Sequence, residues 1–230
     1  MTFSYKGKCS TEFSTLVVQE LPDIVKAKKR VSKINIDGRN GAIYQELGYE
    51  DIEKTILIGL KGTNEIDDIN EWLDGSGELI LSNEPDKIYD ATVHEDIVWS
   101  RKGRFREGIV TVLCKPFKRQ AEEIIDSDNS AIEFMCRGNY KYAYPELTII
   151  GSGTMTVNID NQAYMTLCLG DAEVAATINS EKKECKINGE LNNRAMNGNF
   201  LEITQKEPHS LEITGGHVTQ IRLKVNSIWT

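Results

Sequence analysis

Thr63-Asn64-Glu65-Ile66-Asp67-Asp68-Ile69-Asn70-Glu71-Trp72-Leu73-Asp74-Gly75 is the stretch that breaks a chain otherwise written in strands. Ile66, Ile69 and Leu73 fall at i, i+3 and i+7, with Trp72 beside Leu73. These four apolar side chains share one face of an amphipathic helix of about three turns. Thr63 or Asn64 is placed to cap its start, Glu65, Asp67 and Asp68 suit the positive end of the dipole, and Gly75 suits its end. Around it, alternating or β-branched runs recur at 13–18, 31–36, 55–60, 78–81, 91–98 and 108–114. Turn pairs tolerant of positive φ, such as Asp37-Gly38 and Asn40-Gly41, separate them. Short strands at regular spacing, without alternating helices, predict a mainly β sandwich or barrel rather than a parallel α/β sheet.

The chain has 230 residues, enough for one large β domain or two of ordinary size, with an adequate core in either case. The best internal boundary lies near residues 119–132, where Arg119-Gln120-Ala121-Glu122-Glu123 leads through Ile124-Ile125 into the polar, turn-prone Asp126-Ser127-Asp128-Asn129-Ser130, predicting domains over 1–131 and 132–230. Beyond it the strands shorten and Asn-rich turns appear. Runs 155–159 and 163–169 about Asp160-Asn161 read as one hairpin, and 185–187 and 190–191 about Asn188-Gly189 as another. Leu201-Glu202-Ile203-Thr204 and Leu211-Glu212-Ile213-Thr214 read as two half-buried strands.

Charge narrows the function classes. There are 27 Lys and Arg against 35 Asp and Glu, a net charge of −8. Through residue 131 the balance is 18 against 24, so the acidity is mostly N-terminal. A general phosphate-backbone binder needs the opposite sign over at least one face. The N-terminus lacks a secretion-type pattern, and the apolar runs are far too short to span a bilayer, so no membrane insertion is expected. Five scattered cysteines without C-x-x-C predict reduced packing thiols in a protein made in the cytosol.

No motif forces a catalytic reading. Asp68-Ile69-Asn70-Glu71-Trp72-Leu73 opens like a calcium loop but has Leu where the turn needs Gly, and helix capping explains its carboxylates better. His94, His209 and His217 fall in unrelated contexts without metal-ligand spacing, and His94 is expected on the solvent face of a strand. Gly151-Ser152-Gly153 precedes strands rather than a helix, so it is no dinucleotide loop. No catalytic, cofactor-binding or metal residue is expected. The basic runs Lys26-Ala27-Lys28-Lys29-Arg30 and Arg101-Lys102-Gly103-Arg104-Phe105-Arg106 read as solvated hairpin loops offsetting an acidic body. A further reading pairs them with acidic surfaces of neighbouring subunits.

From Ile69 through Trp72-Leu73 to Pro85-Asp86-Lys87-Ile88-Tyr89-Asp90-Ala91, the sequence resembles the helix, short strand and Pro-Asp-Lys-x-Tyr-x-Ala run of phage distal tail (Dit) proteins, including those of phage-tail-like bacteriocins. Three further elements fit in order. Ile36-Asp37-Gly38-Arg39-Asn40-Gly41 is similar to that family's I-x-G-R-x-G turn, which singles out Gly38, Arg39 and Gly41. Cys114-Lys115-Pro116-Phe117 is similar to its Cys-x-Pro-aromatic element. Ile228-Trp229 resembles its Trp-bearing final segment, without the Pro and Arg that often flank it. The likeness covers residues 1 to 131 well and the remainder loosely.

The resemblance implies a non-enzymatic virion protein at the tail tip of a siphovirus-type tail, made and assembled in the bacterial host cytoplasm. Its implied fold is an N-terminal β-sandwich with one α-helix, like tail-tube proteins, followed by a C-terminal galectin-like β-sandwich. Six copies would form a homohexameric ring with a channel for DNA. Its implied partners are the tail-tube protein, the tail-associated hub protein, the tape-measure protein and, in some tails, receptor-binding proteins. The galectin-like expectation raises an alternative, a carbohydrate-binding module that attaches the tail to the host wall. Galectins use a His-x-Asn-Pro-Arg stretch that this sequence lacks. A wall-cleaving glycosidase or peptidase is the third class, since sequence cannot show the separation of a carboxylate pair.

Overall fold

The computed structural model describes residues 1–120 and 123–230. Ala121 and Glu122, part of the polar stretch read as the domain junction, lie outside the described residues. The chain divides into two compact units, residues 1–119 with Thr230, and residues 120–229. No helix among the described residues is long and apolar enough to cross a membrane.

The first unit is built on one antiparallel sheet and one helix. Its strands are β1 (Phe3–Tyr5), β2 (Lys8–Cys9), β3 (Leu16–Glu20), β4 (Lys29–Ile34), β5 (Ile43–Tyr49) and β6 (Ile52–Leu60). Helix α1 (Ile66–Trp72) follows, then β7 (Gly75–Leu81), β8 (Glu84–Val93), β9 (Ser100–Lys102) and β10 (Phe105–Gln120). The sheet runs β2-β1-β7-β8-β10-β6-β3, with β9 paired to β10, while β4 and β5 pair only with each other among the described residues. The period-two pattern makes the core: Ile56, Ile58 and Leu60 of β6, Val110, Val112 and Cys114 of β10, and Tyr89, Ala91 and Val93 of β8 turn inward to one cluster. Each large apolar side chain so placed contributes roughly 1.5–3 kcal/mol.

The helix is shorter than the sequence predicts. It spans seven residues, its N-cap is Glu65, and neither Thr63 nor Asn64 caps it by side chain. Leu73 is the C-cap, and Gly75, at φ +76°, opens β7 instead of closing the helix. Tertiary contacts explain the early end: the Tyr5 hydroxyl donates to the Gly75 carbonyl and Lys6 Nζ to the Asp74 carbonyl.

The second unit is a β-sandwich. Its strands are β11 (Ile124–Ser127), β12 (Ala131–Met135), β13 (Tyr142–Ala143), β14 (Glu146–Ser152), β15 (Thr154–Ile159) and β16 (Gln162–Cys168). They continue as β17 (Val174–Asn179), β18 (Glu184–Ile187), β19 (Glu190–Leu191), β20 (Met196–Gly198), β21 (Ile203–Thr204), β22 (Pro208–Thr214) and β23 (His217–Lys224). One sheet runs β11-β23-β14-β17-β18-β19 and the other β12-β22-β15-β16-β20, with β13 and β21 as a small separate pair. Leu147, Ile149, Ile221 and Leu223 from one sheet meet Met155, Val157, Leu167 and Leu211 from the other in a single core. Asp160 and Asn161 sit at φ +52° and +63°, and Asn188 and Gly189 at +49° and +86°, as the two hairpin turns require. The turn between Ser127 and Ala131 joins β11 to β12 inside the second unit, since β11 pairs with β23 and β12 with β22.

Candidate functional site

The residues singled out in the sequence fall into three places on the first unit. Ile69, Trp72 and Leu73 are buried, and Ile66 is half-buried against the same core. Trp72 is held on three sides. Its indole N–H donates to the Tyr5 carbonyl at 2.8 Å, its ring stacks on Phe3 with centroids 5.2 Å apart, and Phe13 tilts against it at 5.0 Å. Glu65, at the helix start, reaches the segment just before β3. Its carboxylate accepts from the Thr15 hydroxyl, from the Thr15 N–H at 2.9 Å, and from the Ser14 hydroxyl and N–H at 3.0 and 3.2 Å. Those bonds, Thr15's first, hold its carboxyl at about 2. Asn70 on the outer side of the helix accepts from the Trp99 indole at 3.0 Å. Trp99 lies directly on Gly108 of β10, where an added Cβ would meet its ring at 2.9 Å.

The Pro-Asp-Lys strand forms the second place. Pro85 and Asp86 are exposed, Asp86 forms an ion pair with half-buried Lys87, and Tyr89 points into the core. The Tyr89 hydroxyl donates to the Glu84 carboxylate, which also accepts from Lys118. Burial, then the Glu84 bond, pushes the Tyr89 hydroxyl far up its scale. Lys54 lies over the Tyr89 ring at 4.7 Å and donates to the Asp23 carbonyl at 3.1 Å, and burial pulls its ammonium down. Sequence reasoning missed this polar core. The signal was available, because Lys54 occupies the inward register of β6 between Ile52 and Ile56.

The third place is a ribbon. Gly38, Arg39 and Gly41 form the tip between β4 and β5, both glycines at φ +80°, a conformation that side chains with a Cβ rarely adopt. The Arg39 N–H donates to the Ile36 carbonyl at 3.1 Å. Strand pairing runs from Lys29–Tyr49 to Ile34–Ile43, with a bulge at Arg30 and Val31. Both faces of the ribbon stay in solvent: Val31 is 51% exposed, Leu47 52% and Tyr44 64%. The tip residues therefore join neither the Trp72 nor the Tyr89 network.

Among the described residues no group of three or more His, Cys, Asp or Glu is arranged to hold a metal ion. His94 is exposed just beyond β8, rather than within a strand, and His217 is exposed at the start of β23. His209 is buried in the second unit, with Nδ1 2.7 Å from Asp160 and Nε2 2.9 Å from the Thr204 carbonyl. Burial works against the Asp160 charge, but the bonds from His209 and Ser210 outweigh it and keep its carboxyl below the usual range. Burial pushes the thiols of Cys114 and Cys136 up to about 12, which makes them poor nucleophiles.

No protein-family model and no curated protein matches this sequence. Solved structures do match. The crystal structure of the Dit protein of phage SPP1, titled a paradigm of the hub adsorption apparatus in phages infecting Gram-positive bacteria, is 17% identical with a TM-score of 0.72. That likeness covers 96% of this chain and 97% of the other. A chain of the phage P2 baseplate in its activated, calcium-bound conformation matches at 8% identity and a TM-score of 0.53, covering 93% and 91%. Another, from the strontium-bound p2 baseplate, matches at 9% and 0.51, covering 96% of each. With its mainly β architecture and a likeness that runs over nearly the whole chain, the chain has the fold of phage Dit hub proteins.

Proposed function

We propose that the chain is a structural component of a phage-type tail tip, a hexameric ring that connects the tail tube to the tail-tip hub and leaves a channel for DNA. The observation that carries this reading is the extent of the likeness: both units, in order, align with the SPP1 Dit protein over 96% of the chain. We assign ring formation to the N-terminal domain and an outer position to the galectin-like C-terminal domain. The tail-tube, hub and tape-measure proteins are its partners, with receptor-binding proteins in some particles. It turns over no substrate. A closed ring needs two different patches per subunit, which a two-fold dimer does not. An acidic chain suits a DNA passage, because a lysine-rich wall would hold the phosphates. Light scattering on the eluting protein, with electron microscopy alone and beside its tube partner, tests this. Six-membered rings are expected, and particles that stay single under every condition would overturn it. A pore lined by the basic runs at 26–30 or 101–106 would refute the neutral or acidic lumen alone.

A second reading has one observation in its favour. A hollow of about 300 Å³ on the second unit is lined by Tyr164, Phe200, Lys183, Asn199 and Glu202. Aromatic rings beside polar side chains are what a sugar-binding surface needs. Binding on a glycan array that is lost in Tyr164→Ala would favour a wall-attachment module.

A further inference from the structure

The β4–β5 ribbon pairs with no other strand among the described residues. A lone two-stranded hairpin is marginal in water, and both outer edges of this one are open among the described residues. It nonetheless exposes Val31, Ile34, Ile36, Ile43, Tyr44 and Leu47. Its charge is as unusual as its surface. Residues 26–49 hold six lysines and arginines against two carboxylates, net +4 in a chain of net −8. Lys33 and Arg39 make no ion pair among the described residues, whereas Lys29 is tied to Glu46 at 2.7 Å.

A matching surface lies on the solvent face of β6 and β10. Leu57 and Ile109 are directly paired across the two strands, and Ile109 is 54% exposed. Two shallow grooves flank it, of about 250 and 270 Å³. The first is lined by Val98, which is 72% exposed, and by Asp96 and Glu107. The second is lined by Leu21 and Leu57 together with Glu20 and Asp23. Asp96, Glu20 and Asp23 make no ion pair among the described residues, and Glu107 has only Lys102 at 3.5 Å. An apolar ribbon edged with cations thus has its complement in apolar grooves edged with carboxylates.

We infer that the β4–β5 ribbon of one copy docks on the grooves beside Ile109 of the next copy. The inference rests on the ring reading and deepens it by naming the two different patches a closed ring requires. It also explains the basic run at 26–30: placed against a neighbour's carboxylates, it is taken away from any DNA passing through the channel. The attraction sets register and encounter rate, and the apolar contact supplies affinity.

The test uses full-length protein, half of it isotopically heavy, with a photo-reactive benzoylphenylalanine replacing Tyr44. Cross-links are expected between position 44 and peptides containing 20–23 or 96–111 of the other copy. Links only within one chain, or to other peptides, overturn the inference. In parallel, Lys33→Glu with Arg39→Glu should raise the concentration at half-association about tenfold or more, the loss of one strong contact. Asp96→Lys with Glu20→Lys should restore it in the charge-reversed background. Rings that persist unchanged in the Lys33→Glu, Arg39→Glu protein sink the inference and leave the ring reading standing. The expected cross-links in a protein that never exceeds a dimer support the docking and sink the hexamer.

Discussion

Two hairpins in this chain are written in nearly the same alphabet and meet opposite fates. The β15–β16 hairpin alternates Met155, Val157, Ile159 with threonines and asparagine, and its apolar set is buried, with Met165 and Leu167, in the sandwich core. The β4–β5 ribbon intersperses Val31 and Ile34, three positions apart and so on opposite faces, with lysine, serine and arginine, and both stay in solvent. The difference is in the neighbours. β15 pairs with β22 as well as β16, and its sheet shares a core with the sheet that holds β14 and β23, whereas β4 and β5 have only each other among the described residues. Strict alternation gives the embedded hairpin one apolar face to bury, whereas the ribbon's apolar residues fall on both faces and stay uncovered.

Substitutions can test that contrast from both ends. The largest effect belongs to the embedded hairpin: Val157→Asp places an unpaired charge in the core and should cost more than about 4 kcal/mol, enough to unfold the second unit. A cooperative melt of that unit near the wild-type temperature would break the comparison. Next is Trp72→Ala on the helix, expected to cost about 3–5 kcal/mol by urea denaturation, because stacking on Phe3 and the bond to Tyr5 are lost together. A third effect depends on pH. The Glu65 carboxyl is depressed to about 2 from 4.5, so its contribution is full above 4.5 and is lost as pH falls towards 2. Melting temperatures of Glu65→Gln should therefore fall below wild type above that window and converge with it at the acid end. A constant gap would mean the Ser14 and Thr15 bonds do not form. Smallest of all is Ile34→Ser on the ribbon, within about 0.5 kcal/mol of wild type by thermal melt, as for a surface site. A large loss there would show that the ribbon packs on its own chain.

Much of this architecture could be read from residue order alone, where local chemistry decides the outcome. The spacing of Ile66, Ile69 and Leu73 gives the helix, and Asp160-Asn161 and Asn188-Gly189 give turns, because both signals act within a few residues. Helix length was not legible. It is set by Tyr5 and Lys6 reaching the carbonyls of Gly75 and Asp74 from about seventy positions away. The His209–Asp160 bond, 49 positions apart, is equally invisible until β15 and β22 are paired. The run at 31–36 was recognisable as a strand, but its detachment from the main sheet was not, because pairing partners are a property of the whole topology. Lys54 is the instructive omission: period two put it inward, and the habit of reading lysine as a surface residue hid it.

The open margins of the β4–β5 ribbon also carry a hazard for anyone handling the protein by itself. Lys29, Arg30 and Lys33 interrupt a sequence whose β-branched residues would otherwise favour stacking of ribbon upon ribbon. Concentrated salt shortens the reach of those charges to a few ångströms. It would weaken ordered docking and remove the repulsion that keeps loose subunits from fibrous precipitation, so dilute buffer is the better medium for storage.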